Sequence, residues 1–196
     1  MRHAPSCPRL PNDFGSEGPA MVEEVFGALL WFASLTSAVA PEAPLGLSWG
    51  PVTDVPKPSM VDREENVTAL IYLHDRPLAA GADTDRVILE VCRDEGLQQV
   101  IWLSRPMSEA ELPARFDAIY REGVRRLGQP RTDDASGDVL WSSGQVFLTV
   151  RATAGERRLA MVSRGPRYGP CSVAHEAATG HPASAHGARL VAPRMP

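Results

Sequence analysis

His74 and Asp75 stand side by side at the end of an apolar run. An imidazole next to a carboxylate is what proton-transfer chemistry needs, but no nucleophile is placed beside the pair, and an exposed loop histidine is the expected reading. The C-terminal part carries His175, His181 and His186, with Cys171 upstream. Imidazole and thiolate together could in principle collect a metal ion. These spacings match no ligand pattern, and the surrounding Ala, Gly, Ser and Pro read as disorder. We therefore expect no metal, no cofactor and no catalytic residue. Asn66-Val67-Thr68 is a glycosylation sequon by pattern alone. The chain contains no phosphate-cradling glycine loop, no His-Glu-x-x-His and no Cys-x-x-Cys.

The cysteines depend on the compartment. Residues 25–40 form the one long uncharged stretch and end in Ala38-Val39-Ala40. An apolar core with small residues behind it reads as a secretory signal peptide. Glu23 and Glu24 stand where positive charge is expected, and Pro41 hinders cleavage after Ala40, so cleavage after Ala38 is the fallback. A membrane anchor and a buried helix of a cytosolic domain are the competing readings. The start of translation, Met1 or Met21, is open. On export Cys7 is lost, leaving Cys92 and Cys171 as a candidate disulfide in an oxidising compartment that would pin the C-terminal segment onto the sheet, with free, inert thiols as the competing reading.

The 18 Pro and 16 Gly of the 196 residues crowd positions 1–20, 41–58 and 165–196. That leaves one globular body: a leader over 1–40, a Pro-rich linker and first strand over 41–60, an α+β domain over 61–165 and a flexible tail over 166–196. The formal net charge is −4, and lysine occurs only as Lys57, so no field attracts nucleic acid.

Leu45 to Gly50 and Val67 to Leu73 read as strands, separated by Pro51, Pro56 and Pro58, which forbid regular structure between them. Arg86–Arg93 and Leu97–Leu103 flank Asp94-Glu95-Gly96 as a hairpin. Further hairpins are expected around Ser143-Gly144 and Thr153-Ala154-Gly155, with strands at Val139–Ser142, Gln145–Arg151 and Arg158–Ser163. One amphipathic helix is expected from about Ser108 to Leu127, with the stripe Leu112, Phe116, Ile119, Tyr120, Val124 and Leu127. Ser108 and Glu111 fit a capping box, while Pro113 allows a start near Leu112. Glu111 with Arg115, Asp117 with Arg121 and Glu122 with Arg126 are spaced for ion pairs. The expected fold is α+β: an antiparallel meander in the order ββββαβββ, with the helix on one face. Trp49, Trp102 and Trp141 fall on these strands as core or rim residues, with exposed recognition aromatics as the alternative.

Gly46-Leu47-Ser48-Trp49-Gly50, the helix closing in Leu127-Gly128-Gln129-Pro130 and the Trp141 strand resemble small exported α+β domains of unknown function from Gram-negative bacteria, over residues 45 to about 163. The resemblance implies an envelope location and a sheet-plus-helix fold. The expected function is a non-catalytic periplasmic or secreted domain that binds a protein or small ligand. It would touch a membrane only through an uncleaved leader. The alternatives are a small hydrolase whose residues are scattered in the sequence, and a membrane-anchored or cytoplasmic protein.

Overall fold

The computed structural model describes residues 42–191, except 75, 143–144 and 154–155, with Thr153 described by its backbone only. The leader, Cys7 and Asp75 therefore lie outside the described residues. No described helix is long and apolar enough to cross a membrane.

The domain is α+β, built on one antiparallel eight-stranded sheet. Its strands are β3 (Met60–Glu64), β4 (Val67–Leu73), β5 (Thr84–Cys92), β6 (Gly96–Ser104), β7 (Arg131–Thr132), β8 (Val139–Trp141), β9 (Val146–Thr153) and β10 (Glu156–Arg164). The order across the sheet is β3-β4-β5-β6-β10-β9-β8-β7. Two four-stranded meanders thus meet at β6 and β10, and α1 (Leu112–Leu127) carries the chain from one to the far edge of the other. The expected first strand over Leu45–Gly50 is instead a small ribbon. There β1 (Glu42–Ala43) pairs with β2 (Leu47–Ser48) around a 3-10 turn, with Leu45 at φ 65°. The true edge strand β3 follows the prolines, where only Met60 and Val61 are apolar and the alternation is too weak to read.

Cross-strand pairs show what each face buries. Ile71, Ile88, Ile101, Val162 and Phe147 are successive neighbours across β4, β5, β6, β10 and β9. They pack with Leu190 and Val191. The adjacent row, Tyr72, Val87, Trp102, Met161 and Leu148, points the other way, because side chains alternate along a strand. On that face Leu112, Phe116, Ile119 and Tyr120 of α1 pack with Trp141, Leu148 and Leu159, and Trp49, Val52 and Val55 pack with Tyr72 and Leu89.

One helix on one face therefore gives way to cover on both. Instead of a flexible tail over 166–196, residues Tyr168–Thr179 form α2 and Ala183–Val191 form α3, against the face opposite α1. The stripes that seat them are short: Cys171 and His175 on α2, and Ala183, His186 and Gly187 on α3.

The turn before α1 resolves its two expected starts. Ser108 and Glu111 exchange capping-box hydrogen bonds, with Ser108 N–H donating to Glu111 Oε2 at 3.0 Å and Glu111 N–H to Ser108 Oγ at 3.3 Å. The regular helix begins one turn later with Pro113 in its first turn. These bonds and Arg105 hold the Glu111 carboxyl down to about 2. Glu111 pairs with Arg105 at 2.9 Å, and Arg115 turns to Asp83 at 3.0 Å, so the expected Glu111–Arg115 pair does not form. Asp117–Arg121 and Glu122–Arg126 do.

The β5–β6 hairpin turns at a close backbone approach. Gly96 sits at φ +70°, and a Cβ there would fall 2.0 Å from the Gly50 carbonyl oxygen, where residue 50 bridges to Leu97. Gly96→Ala combines left-handed strain with a backbone clash. It is expected to cost at least about 2 kcal/mol, read as a lowered urea midpoint.

Candidate functional site

Two places on the domain gather side chains that could bind something. The first is a groove of about 860 Å3 between the N-terminal ribbon, α1 and the sheet face beneath them. Trp102 and Met161 line it from β6 and β10, Ile119 and Leu127 from α1, and Leu45 and Trp49 from the N-terminal segment. Both tryptophans are half-buried and held in place. Trp102 donates its indole N–H to Thr84 Oγ1 at 2.9 Å, and the Trp49 ring lies so close over Gly165 that a Cβ there would meet it at 2.8 Å. Among the groove's charged groups, Glu122 is paired with Arg126. Trp141, the third aromatic considered for an exposed role, is 1% exposed and belongs to the core under α1.

The second place is a cluster of histidines and carboxylates where α2 and α3 meet the β3–β4 edge. His175 from α2, His181 from the α2–α3 connection and Glu64 from β3 each offer a ligand atom, all within 4.8 Å of one another. Glu64 Oε1 lies 3.3 Å from His181 Nε2 and Oε2 lies 2.8 Å from Arg189. His186 adds a third imidazole, its ring 6.2 Å from that of His175. Its Nε2 is 3.8 Å from Asp62 and 3.9 Å from Glu64, and its Nδ1 is 3.6 Å from Glu90. His175 and His186 are fully buried.

The sequon asparagine belongs to this cluster. Asn66 Nδ2 donates to the Cys171 carbonyl at 3.4 Å, which turns Oδ1 toward His175, and His175 Nδ1–H donates to it at 2.9 Å. The other nitrogen of His175, Nε2, then carries a lone pair, and it has no hydrogen-bond partner among the described residues. His181 Nδ1 and both ring nitrogens of His186 likewise have no hydrogen-bond partner among the described residues.

Electrostatics differ sharply across a few ångströms here. Burial pushes the His175 imidazole below its usual value, favouring the neutral ring. Burial also raises Glu90, which accepts from Gln99 Nε2 at 2.8 Å on the covered sheet face. Glu64 goes the other way: burial opposes ionisation, but the Arg189 hydrogen bond and the neighbouring His186 and His181 together hold its carboxyl below the ordinary range.

Cys92 and Cys171 are joined in a disulfide, with Cα atoms 6.0 Å apart across a sequence separation of 79. A second grouping, Cys92 and Cys171 with Glu95, offers no free thiolate because both sulfurs are in that bond. His74 is exposed and lies in neither place.

The histidines expected to be scattered over a flexible tail are thus brought together with a carboxylate 111 residues upstream of the first of them. Their own spacing carried one usable sign. Cys171 and His175 are four residues apart, and Ala183, His186, Gly187 and Leu190 repeat at three and four, which is a helical stripe in a segment whose composition reads as coil. Gly187 is why α3 can lie so close: a Cβ there would meet Glu90 Oε1 at 2.8 Å. The partner Glu64 left no trace in the local sequence.

No protein-family model, no curated protein and no solved structure matches this chain.

Proposed function

We propose that this is a non-catalytic exported domain that binds a small, largely apolar molecule in the groove between α1, the N-terminal ribbon and the sheet. The observation that carries the reading is the groove itself. Its volume of about 860 Å3 falls in the range of small-molecule sites, and its apolar lining includes two half-buried tryptophans held in place. Tryptophan held in this way supplies large contact area without an ordering cost on binding. Export is supported by the Cys92–Cys171 bridge, which persists in oxidising compartments, and by the apolar run at 25–40.

Titration of the bridged protein with anilinonaphthalene sulfonate tests the groove. One saturable site per chain is expected. Trp49→Ala and Ile119→Glu should each weaken it at least about tenfold, and Val173→Ser, on an exposed part of α2, should leave it unchanged. No saturable binding, or wild-type affinity in both groove variants, would overturn the reading.

A further inference from the structure

We propose that Glu64, His175 and His181 form a binding site for one divalent transition-metal ion of the zinc class, with His186 beside them as a further nitrogen donor.

The donor chemistry selects the ion. Two or three imidazoles with one carboxylate suit zinc and its first-row neighbours, whereas calcium and magnesium are held by oxygen. The three ligand atoms already lie within 4.8 Å of one another. In a tetrahedral shell with bonds near 2.0–2.1 Å, donors stand about 3.3–3.5 Å apart. Side-chain movements of about an ångström close that difference. The Glu64 Oε1 to His181 Nε2 separation of 3.3 Å is already in range.

The unpaired nitrogens are a second, independent observation. His175 is fully buried, its Nδ1 is satisfied by Asn66, and its Nε2 has no hydrogen-bond partner among the described residues. His181 Nδ1 and both nitrogens of the fully buried His186 share that condition. Packing alone does not favour such groups, since a buried polar atom without a partner is costly and an apolar residue of similar size would fill the space better. A cation that accepts a lone pair removes the cost at His175 Nε2 and can do so at one nitrogen of His186.

The outer contacts are those that orient metal ligands. A ligating histidine ordinarily donates its other N–H to an oxygen, which sets the tautomer and aims the free nitrogen, and Asn66 Oδ1 does this for His175. Arg189 holds Glu64 by Oε2, leaving Oε1 turned toward His181. The disulfide acts on the same helix face, because Cys171 lies one turn before His175. The bridge fastens α2 to the end of β5, and the ion would fasten α2 and the α2–α3 connection to β3 beside it. Access is open, since the side chains of His181 and Glu64 are 37% and 21% exposed.

The test is calorimetric titration of the metal-stripped, disulfide-intact chain with Zn2+, with Co2+ absorption as a second probe of tetrahedral nitrogen and oxygen ligation. One ion per chain is expected. His181→Ala and Glu64→Gln, both at partly exposed positions, should weaken Zn2+ by about 100-fold, and Asn66→Ala by about 10-fold or more. His74→Ala, on an exposed histidine outside the cluster, should leave affinity unchanged. His175→Ala tests the buried ligand wherever circular dichroism shows it folded. The proposal is overturned if the wild-type chain takes up no Zn2+ at 100 µM, or if His181→Ala and Glu64→Gln bind as tightly as wild type. Neither outcome bears on the groove, which shares none of these residues.

Discussion

Removing the disulfide by the paired change Cys92→Ala and Cys171→Ala is expected to cost about 4 kcal/mol. The bridge closes a loop with a sequence separation of 79, and chain entropy in the unfolded state scales with the logarithm of that length. Alanine is the suitable replacement because both positions are buried among Val67, Ala183 and Tyr168, where a serine hydroxyl would be left without a partner. The effect has a local part as well. The Cys171 carbonyl accepts from Asn66, which in turn holds His175, so a loosened α2 disturbs the histidine cluster before the sheet itself. Urea unfolding of the bridged and double-alanine chains measures the difference. Amide exchange should show the loss of protection concentrated in α2 and α3. A change below about 1 kcal/mol would mean that packing of α3 through Leu190 and Val191 holds these helices without the bridge.

Trp141→Ala is expected to cost about 3–5 kcal/mol, the usual range for deleting a large buried aromatic. Trp141 is 1% exposed on the short strand β8 and joins α1 to the outer meander. Its ring is 6.1 Å from that of Tyr120, it fills the space above Gly123, and its indole N–H donates to the Gly128 carbonyl at the end of α1 at 3.1 Å. Removing it opens a cavity and takes away the side-chain donor to a helix-terminal carbonyl together. Trp141→Phe keeps most of the volume but loses the hydrogen bond, and should recover more than half of the loss in the same urea measurement. Equal destabilisation by both changes would show that the hydrogen bond outweighs the packing.

The strand pairs of the fold were legible because they are local. In β5 and β6 the apolar runs Val87-Ile88-Leu89 and Val100-Ile101-Trp102-Leu103 flank a glycine that can take the left-handed turn, so the hairpin follows from a dozen residues, while a bulge between Glu90 and Val91 shifts the register away from the turn. The helix α1 was legible for the same reason: its stripe and its capping box are contained in twenty residues. Those apolar runs also held a sign that went unread. They are continuous, where a sheet with one wet face would alternate, and continuity means that both faces are covered.

The tail failed for a physical reason. Residues 168–191 have little apolar area, so nothing in their composition predicts order. Their helices form because neighbours elsewhere in the chain hold them: Cys92 bonds Cys171, Asn66 holds His175, and the sheet row ending in Phe147 and Val162 receives Leu190 and Val191. The histidine cluster shares this origin, since Glu64 comes from a weakly patterned edge strand and the imidazoles from a polar tail. The groove is likewise invisible in one dimension, because Trp49, Trp102, Ile119 and Met161 come from four separate segments.

The amino-acid sequence by itself determined the α+β class, the hairpins and the stripe of α1, because turn chemistry and periodicity are properties of short stretches, and it left the pairing of Cys92 with Cys171 open, conditional on export. The tertiary structure alone decided that β10, not β7, lies beside β6, that the tail is two docked helices, and that three histidines meet Glu64. Each of these depends on contacts between residues far apart in the chain, whose free energy is realised only when the sheet exists to receive them.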